Sequence, residues 1–145
     1  MPKYLFTILF LLPFQLFTQN PIIHFKILNK ATKKPMPAKM VILKNGEPFD
    51  HNLKSTESLA CRDHTIYSAT GEGSFELPSG TYEIWFGRGM EYSIDTQKHT
   101  FQKGKTYHLE TTLRPEINTD GFVAGDMHLH TYTFSGHGDA TVEER

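Results

Sequence analysis

Cysteine is almost missing from this chain: Cys61 is the single thiol in 145 residues. No internal disulfide can brace the fold, and Cys61 lies too far from the apolar N-terminal run to be a lipid attachment site. No His/Asp pattern surrounds it, so we read it as a small, partly buried side chain and not as a nucleophile. An excess of either charge is also missing. Fifteen Lys and Arg stand against 16 Asp and Glu, for a net charge of −1, which leaves no basic footprint for nucleic acid. Between Ile22 and Leu113 no helix of convincing length is legible. After Phe17 no apolar run is long enough to span a membrane.

The one apolar run present, Tyr4 to Phe17 behind Lys3, is interrupted only by Thr7, Pro13 and Gln15. A charged start followed by a short apolar core has the form of a secretory signal, too short for a membrane span. Residues 1–19 are therefore expected to be a signal peptide with cleavage near Thr18 to Asn20; no small-x-small cleavage pattern is present, and an uncleaved anchor is the alternative. That makes the protein secreted or periplasmic, with membrane contact transient and confined to this segment.

From Ile22 to Leu113 the chain is punctuated like an all-β domain, with short β-branched and aromatic runs separated by turn residues. Ile22–Leu28 and Lys39–Leu43 read as strands flanking the polar turn from Asn29 to Pro35. Ser74–Leu77 and Thr81–Phe86 read as a hairpin about Pro78-Ser79-Gly80. Thr96–Phe101 and Lys105–Leu113 read as a second hairpin about Gly104. Strand phase puts Tyr82, Ile84 and Phe86 on one face, and Tyr107, Leu109, Thr111 and Leu113 on another. The polar stretch from Asn45 to Thr70 is expected to be a long connection with one strand near Ile66-Tyr67. Together these predict an antiparallel transthyretin- or Ig-like β-sandwich over residues 20–116. Trp85 is expected in the core or at a domain interface, with a sugar platform as the less favoured reading. His24, His51, His64, His99 and His108 have no ligand spacing and are expected on surfaces or strand faces. For Arg88-Gly89-Met90-Glu91-Tyr92 the default is a loop ion pair; the alternative is a loop facing the site of a following domain.

The densest chemistry lies in residues 117–145. If Asp126, His128 and His130 are on a strand they point to one side, so a carboxylate and two imidazoles converge where a metal could sit. His137, in Ser135-Gly136-His137-Gly138-Asp139, follows far enough along to return a third nitrogen ligand. With 8 histidines in the chain, an H-x-H pair by itself says little. Asp126 in phase and the glycine-flanked His137 are what give it weight. Asp139 and Thr141 read as helix caps ahead of Glu143-Glu144.

Taken in order, "FKILNKATKKPMPAKMVIL", "GSFELPSGTYEIWFGRGMEYS" and "GDMHLHTYTFSGHGD" resemble secreted bacterial metallohydrolases of the CehA/McbA type, in the PHP superfamily. The resemblance implies a carboxypeptidase regulatory-like sandwich at 20–116, followed at 117–145 by the first strand and turn of an incomplete PHP-type (β/α) barrel. It implies His128, His130 and His137 as metal ligands and Asp126 as the residue orienting an imidazole or its loop. In a complete protein two or three divalent ions (Zn, Mn or Fe) would activate water against a small-molecule phosphoester or a carboxylic or carbamate ester. The further ligands of such a cluster are not in these 145 residues, so this chain is expected to be inactive alone. Two other readings compete: a secreted β-sandwich that binds or spaces without catalysis, and a fragment of an amidohydrolase-superfamily enzyme.

Overall fold

The computed structural model describes residues 19–56, 58–123 and 130–136. Nine strands and one helical turn are present among them: β1 (Ile22–Asn29), β2 (Ala38–Lys44), β3 (Glu47–Pro48), β4 (Leu59–Arg62), β5 (Thr65–Ser68), β6 (Glu72–Glu76), β7 (Gly80–Gly87), β8 (Asp95–Phe101), β9 (Thr106–Leu113) and α1 (Tyr132–Ser135). They form two layers, a three-stranded sheet in the order β6-β1-β9 and a larger sheet in the order β4-β5-β2-β7-β8, with β3 paired to β2. All pairings are antiparallel except β1 with β9, where His24 stands opposite His108 and Leu28 opposite Thr112.

The core follows from period-two alternation. On β1, Ile23, Phe25 and Ile27 turn inward while Ile22, His24 and Lys26 face out. The larger sheet answers with Met40, Ile42, Ile66, Tyr82, Ile84, Phe86 and Phe101, and β9 adds Leu109 and Leu113. Each such side chain stabilises the fold by about 1.5–3 kcal/mol when fully buried. The predicted inward phase of Tyr82, Ile84 and Phe86 and of Leu109, Thr111 and Leu113 is observed, with Tyr107 half-buried.

Neither predicted hairpin exists. β6 pairs with β1 in the small sheet, whereas β7 pairs with β2 and β8 in the large one, so the Pro78-Ser79 link crosses between layers. Leu77, fully buried in that link, is the physical reason: a hairpin tip would expose it, and an arch over the end of the core does not. Tyr82 reinforces the crossing by donating its hydroxyl hydrogen to the Pro78 carbonyl at 2.9 Å. Gly104 likewise lies in a crossing from β8 to β9, fastened by its N–H to the Gln19 carbonyl at 2.8 Å. The hairpins that do form are β2–β3, about Asn45-Gly46, β4–β5, about Asp63-His64, and β7–β8. The stretch from Asn45 to Thr70 thus holds three strands where one was expected. Asn45 and Gly46, at φ 56° and 85°, turn the chain from β2 into β3, both left-handed as a tight two-residue turn requires.

No barrel-type strand is present among the described residues of 117–145. Residues 117–123 form no strand, and 130–136 hold only the turn of helix α1, where Ser135 donates both its N–H (2.9 Å) and its hydroxyl (2.6 Å) to the Thr131 carbonyl.

Candidate functional site

Of the residues predicted as a metal set, Asp126, His128 and His137 lie outside the described residues. His130 is described and is exposed just ahead of α1. Among the described residues no group of three or more His, Cys, Asp or Glu side chains is placed to hold a metal ion. Of the remaining histidines, His64 is exposed and the other four are held by ordinary packing. His24 and His108 stack across the β1–β9 ladder with centroids 4.9 Å apart and planes 12° apart, and His99 stacks on Phe101. His51 is buried; its Nδ1 accepts the Leu53 N–H at 3.1 Å, and its Nε2 makes no hydrogen bond. Desolvation holds that ring's pKa below its ordinary 6.5, opposed more weakly by the Asp50 carboxylate and the nearby Thr65 backbone. Cys61 is half-buried with its thiol pKa raised by desolvation, which makes it a poor nucleophile.

Polar groups on the inner side of β8 are similarly occupied. Asp95 accepts the hydroxyl of buried Thr111 at 2.6 Å and the Gln97 amide at 2.9 Å. The same amide donates to the Glu110 carbonyl, and Gln97 Oε1 meets His99 Nε2 at 2.9 Å. This row closes the gap between β8 of one sheet and β9 of the other.

An open groove of about 900 Å³ lies on the outer face of the large sheet. Alternation forces it: with Tyr82, Ile84 and Phe86 facing the core, Trp85 must face out, where it stands on one rung with Val41 and Thr96. The indole is 42% exposed and donates its N–H to Glu83, so its polar edge is occupied and its apolar face remains open. The loop from Arg88 to Ile94 makes one wall. Arg88 does not form the default loop ion pair; it donates to the Pro37 carbonyl at 3.1 Å and lies 5.4 Å over the Tyr92 ring. Those two contacts fasten the wall, and Gly89 at φ 68° turns it outward. Met90 and Ile94 are 94% and 64% exposed along this wall, and Arg114 and Glu116 complete the rim. Trp85 is therefore a surface residue and not part of the core.

No protein-family model and no curated protein matches the chain. Solved structures do resemble it. The group B streptococcus pilus 2b backbone protein is 17% identical, with a TM-score of 0.48, over 67% of this chain and 41% of that one. BcpA, the major pilin subunit of Bacillus cereus, is also 17% identical, with a TM-score of 0.48, over 68% of this chain and 31% of that one. The chain thus spans less than half the length of either structure. Both carry the names of pilus proteins. No family model supports the expected CehA/McbA-type PHP membership, which is corrected together with the hydrolase and metal-binding expectations. A short His-rich motif specifies a metal centre only when the fold brings further ligands to it, and the described residues bring none.

Proposed function

We propose that residues 20–116 act as a non-catalytic docking and spacing module of an exported protein. The observation that supports this most strongly is the Trp85 groove: an outward, aromatic-floored surface with a fastened wall. The titratable groups inside the fold, in contrast, serve structure. Asp95, Gln97, His99 and Thr111 bond one another between the sheets, and His51 and Cys61 are shielded from solvent, His51 fully and Cys61 in part. Such an arrangement offers a contact surface and no activated nucleophile, acid or base. Export belongs to the proposal through the Lys3 and Tyr4-to-Phe17 pattern. Among the described residues no helix is long and apolar enough to cross a membrane.

The test is direct. The purified chain is melted with and without a chelator and assayed against ester and phosphoester substrates, and the exported form is sized by mass spectrometry. We expect an unchanged cooperative melt, no turnover, and loss of a segment ending near residue 19. Turnover, or a fold that collapses on chelation, would overturn the module reading; an intact Met1 form inside the cell would overturn export.

A further inference from the structure

We propose that the Trp85 groove is the seat of this chain's own apolar stretch that begins at Ile117 and carries Phe122 and Val123. This deepens the docking reading by naming the occupant, and it rests on that reading.

The first argument is where the segment begins. Past β9, the Ser93 N–H donates to the Arg114 carbonyl (2.9 Å), the Arg114 N–H to Ser93 Oγ (3.1 Å) and the Glu116 N–H to the Glu91 carbonyl (2.8 Å), with Tyr92 bridged to Pro115. Residues 114–116 are thereby sewn to the groove wall, and Arg114 and Glu116 themselves line the groove. Residue 117 starts on the rim. A tether of no length gives the segment a far higher effective concentration at the groove than any separate molecule has.

The second argument is matching chemistry. The emerging segment carries Ile117, Phe122 and Val123 at 55%, 82% and 97% exposure, facing nothing that covers them among the described residues. The groove presents Trp85, Met90 and Ile94, also uncovered. Phe122 lies six residues past Glu116, at most about 21 Å of extended chain, and Glu116 itself lines the groove. The rim charges of Arg114 and Glu116 bond each other at 2.8 Å, which leaves an apolar attraction without a dominant charge. The wall is held by Arg88 whether or not the groove is filled, so docking orders little on the sandwich side.

The experiment exploits the single tryptophan of the chain. Acrylamide quenching and emission maximum of Trp85 are measured on the full chain, on Phe122→Asp/Val123→Asp, and on Met90→Asp. None of the changed side chains belongs to the core, so each variant should keep the fold and melt cooperatively. Because the centre of a docked surface loses its water, we expect the quenching constant of the unaltered chain to be lower by roughly twofold or more than in either variant. The emission should be bluer, and neither quantity should change with protein concentration. Equal quenching in all three proteins overturns the proposal. Protection that grows with concentration assigns the groove to a second copy and also overturns it. In either case an unchanged melt and absent turnover would leave the module reading standing, so the two failures are distinguishable.

Discussion

Replacing Gly71 with alanine is expected to destabilise the sandwich far more than the same change at Gly46, although both glycines are left-handed, at φ 80° and 85°. A Cβ at Gly46 meets nothing within 4 Å, so only the backbone conformation is penalised, by about 1–2 kcal/mol. A Cβ at Gly71 would lie 2.2 Å from the Met36 carbonyl oxygen and 2.7 Å from the Met36 nitrogen. Backbone cannot swing aside as a side-chain tip can. Moving Met36 away strains its N–H bond to the Ile27 carbonyl (3.1 Å). Moving Gly71 instead strains the bond from the Ile27 N–H to the Gly71 carbonyl (2.8 Å). Ile27 is fully buried at the centre of the small sheet, so one or two bonds of about 1 kcal/mol each are lost in a place without water. Adding the conformational cost, and subtracting up to about 1 kcal/mol for the stiffer unfolded chain, gives a loss of about 1–4 kcal/mol at Gly71 and about 0–2 kcal/mol at Gly46, the bonds lost making the difference of about 1–2 kcal/mol between them. Urea denaturation followed by circular dichroism measures both as midpoint shifts at constant slope. Equal midpoints for the two variants would refute the close-approach argument.

Acid should expose the buried histidine. Because burial lowers the His51 pKa in the fold below its ordinary 6.5, the unfolded chain takes up its proton first as pH falls. The stability gained by keeping the ring neutral is complete above about pH 6.5 and declines below it, at no more than about 1.4 kcal/mol per pH unit, until the folded-state pKa is passed. A His51→Phe chain should lose that part of the slope below about pH 6.5, and an identical slope in both proteins would count against the assignment. At the closure between the sheets, Thr111→Val keeps the buried shape but removes the 2.6 Å bond to Asp95, so a loss of about 1–2 kcal/mol is expected. An unmoved denaturation midpoint would show that the bond contributes nothing net.

The strand phases were legible because burial on one face dictates alternation: Ile23, Phe25 and Ile27 announce β1, and Tyr82, Ile84 and Phe86 announce β7. Strand partnership was not legible. Pro78-Ser79-Gly80 and Gly104 are turn signals that suit a hairpin and a layer-crossing arch equally well. Only the burial of Leu77 and Phe101 beside them distinguishes the two, and burial is a property of the finished fold. β4 escaped notice because Leu59-Ala60-Cys61-Arg62 contains no β-branched or aromatic residue. Asn45-Gly46, by contrast, is a strong local hairpin signal that the polarity of its surroundings obscured. The outward placement of Trp85 was implicit in the inward phase of its neighbours. The wall that makes it a groove was not, since it depends on Arg88 reaching a carbonyl 51 positions away. The His-rich motif was the most conspicuous feature of the sequence, yet three of its four acidic and imidazole groups lie outside the described residues.

The parallel pairing of β1 with β9 has a mechanical consequence. Because the two strands run the same way, the chain enters the sandwich beside Ile22 and Thr106 and leaves beside Asn29 and Leu113, at the opposite end of a ladder about 26 Å long. Tension applied through the two chain ends draws these neighbours past each other lengthwise. The rungs from Ile22↔Thr106 to Asn29↔Leu113 then carry the load together, where an antiparallel closing pair would open rung by rung like a zipper. The ladder makes the sandwich a shear-loaded link, strongest along the line that joins whatever lies before it to whatever lies after.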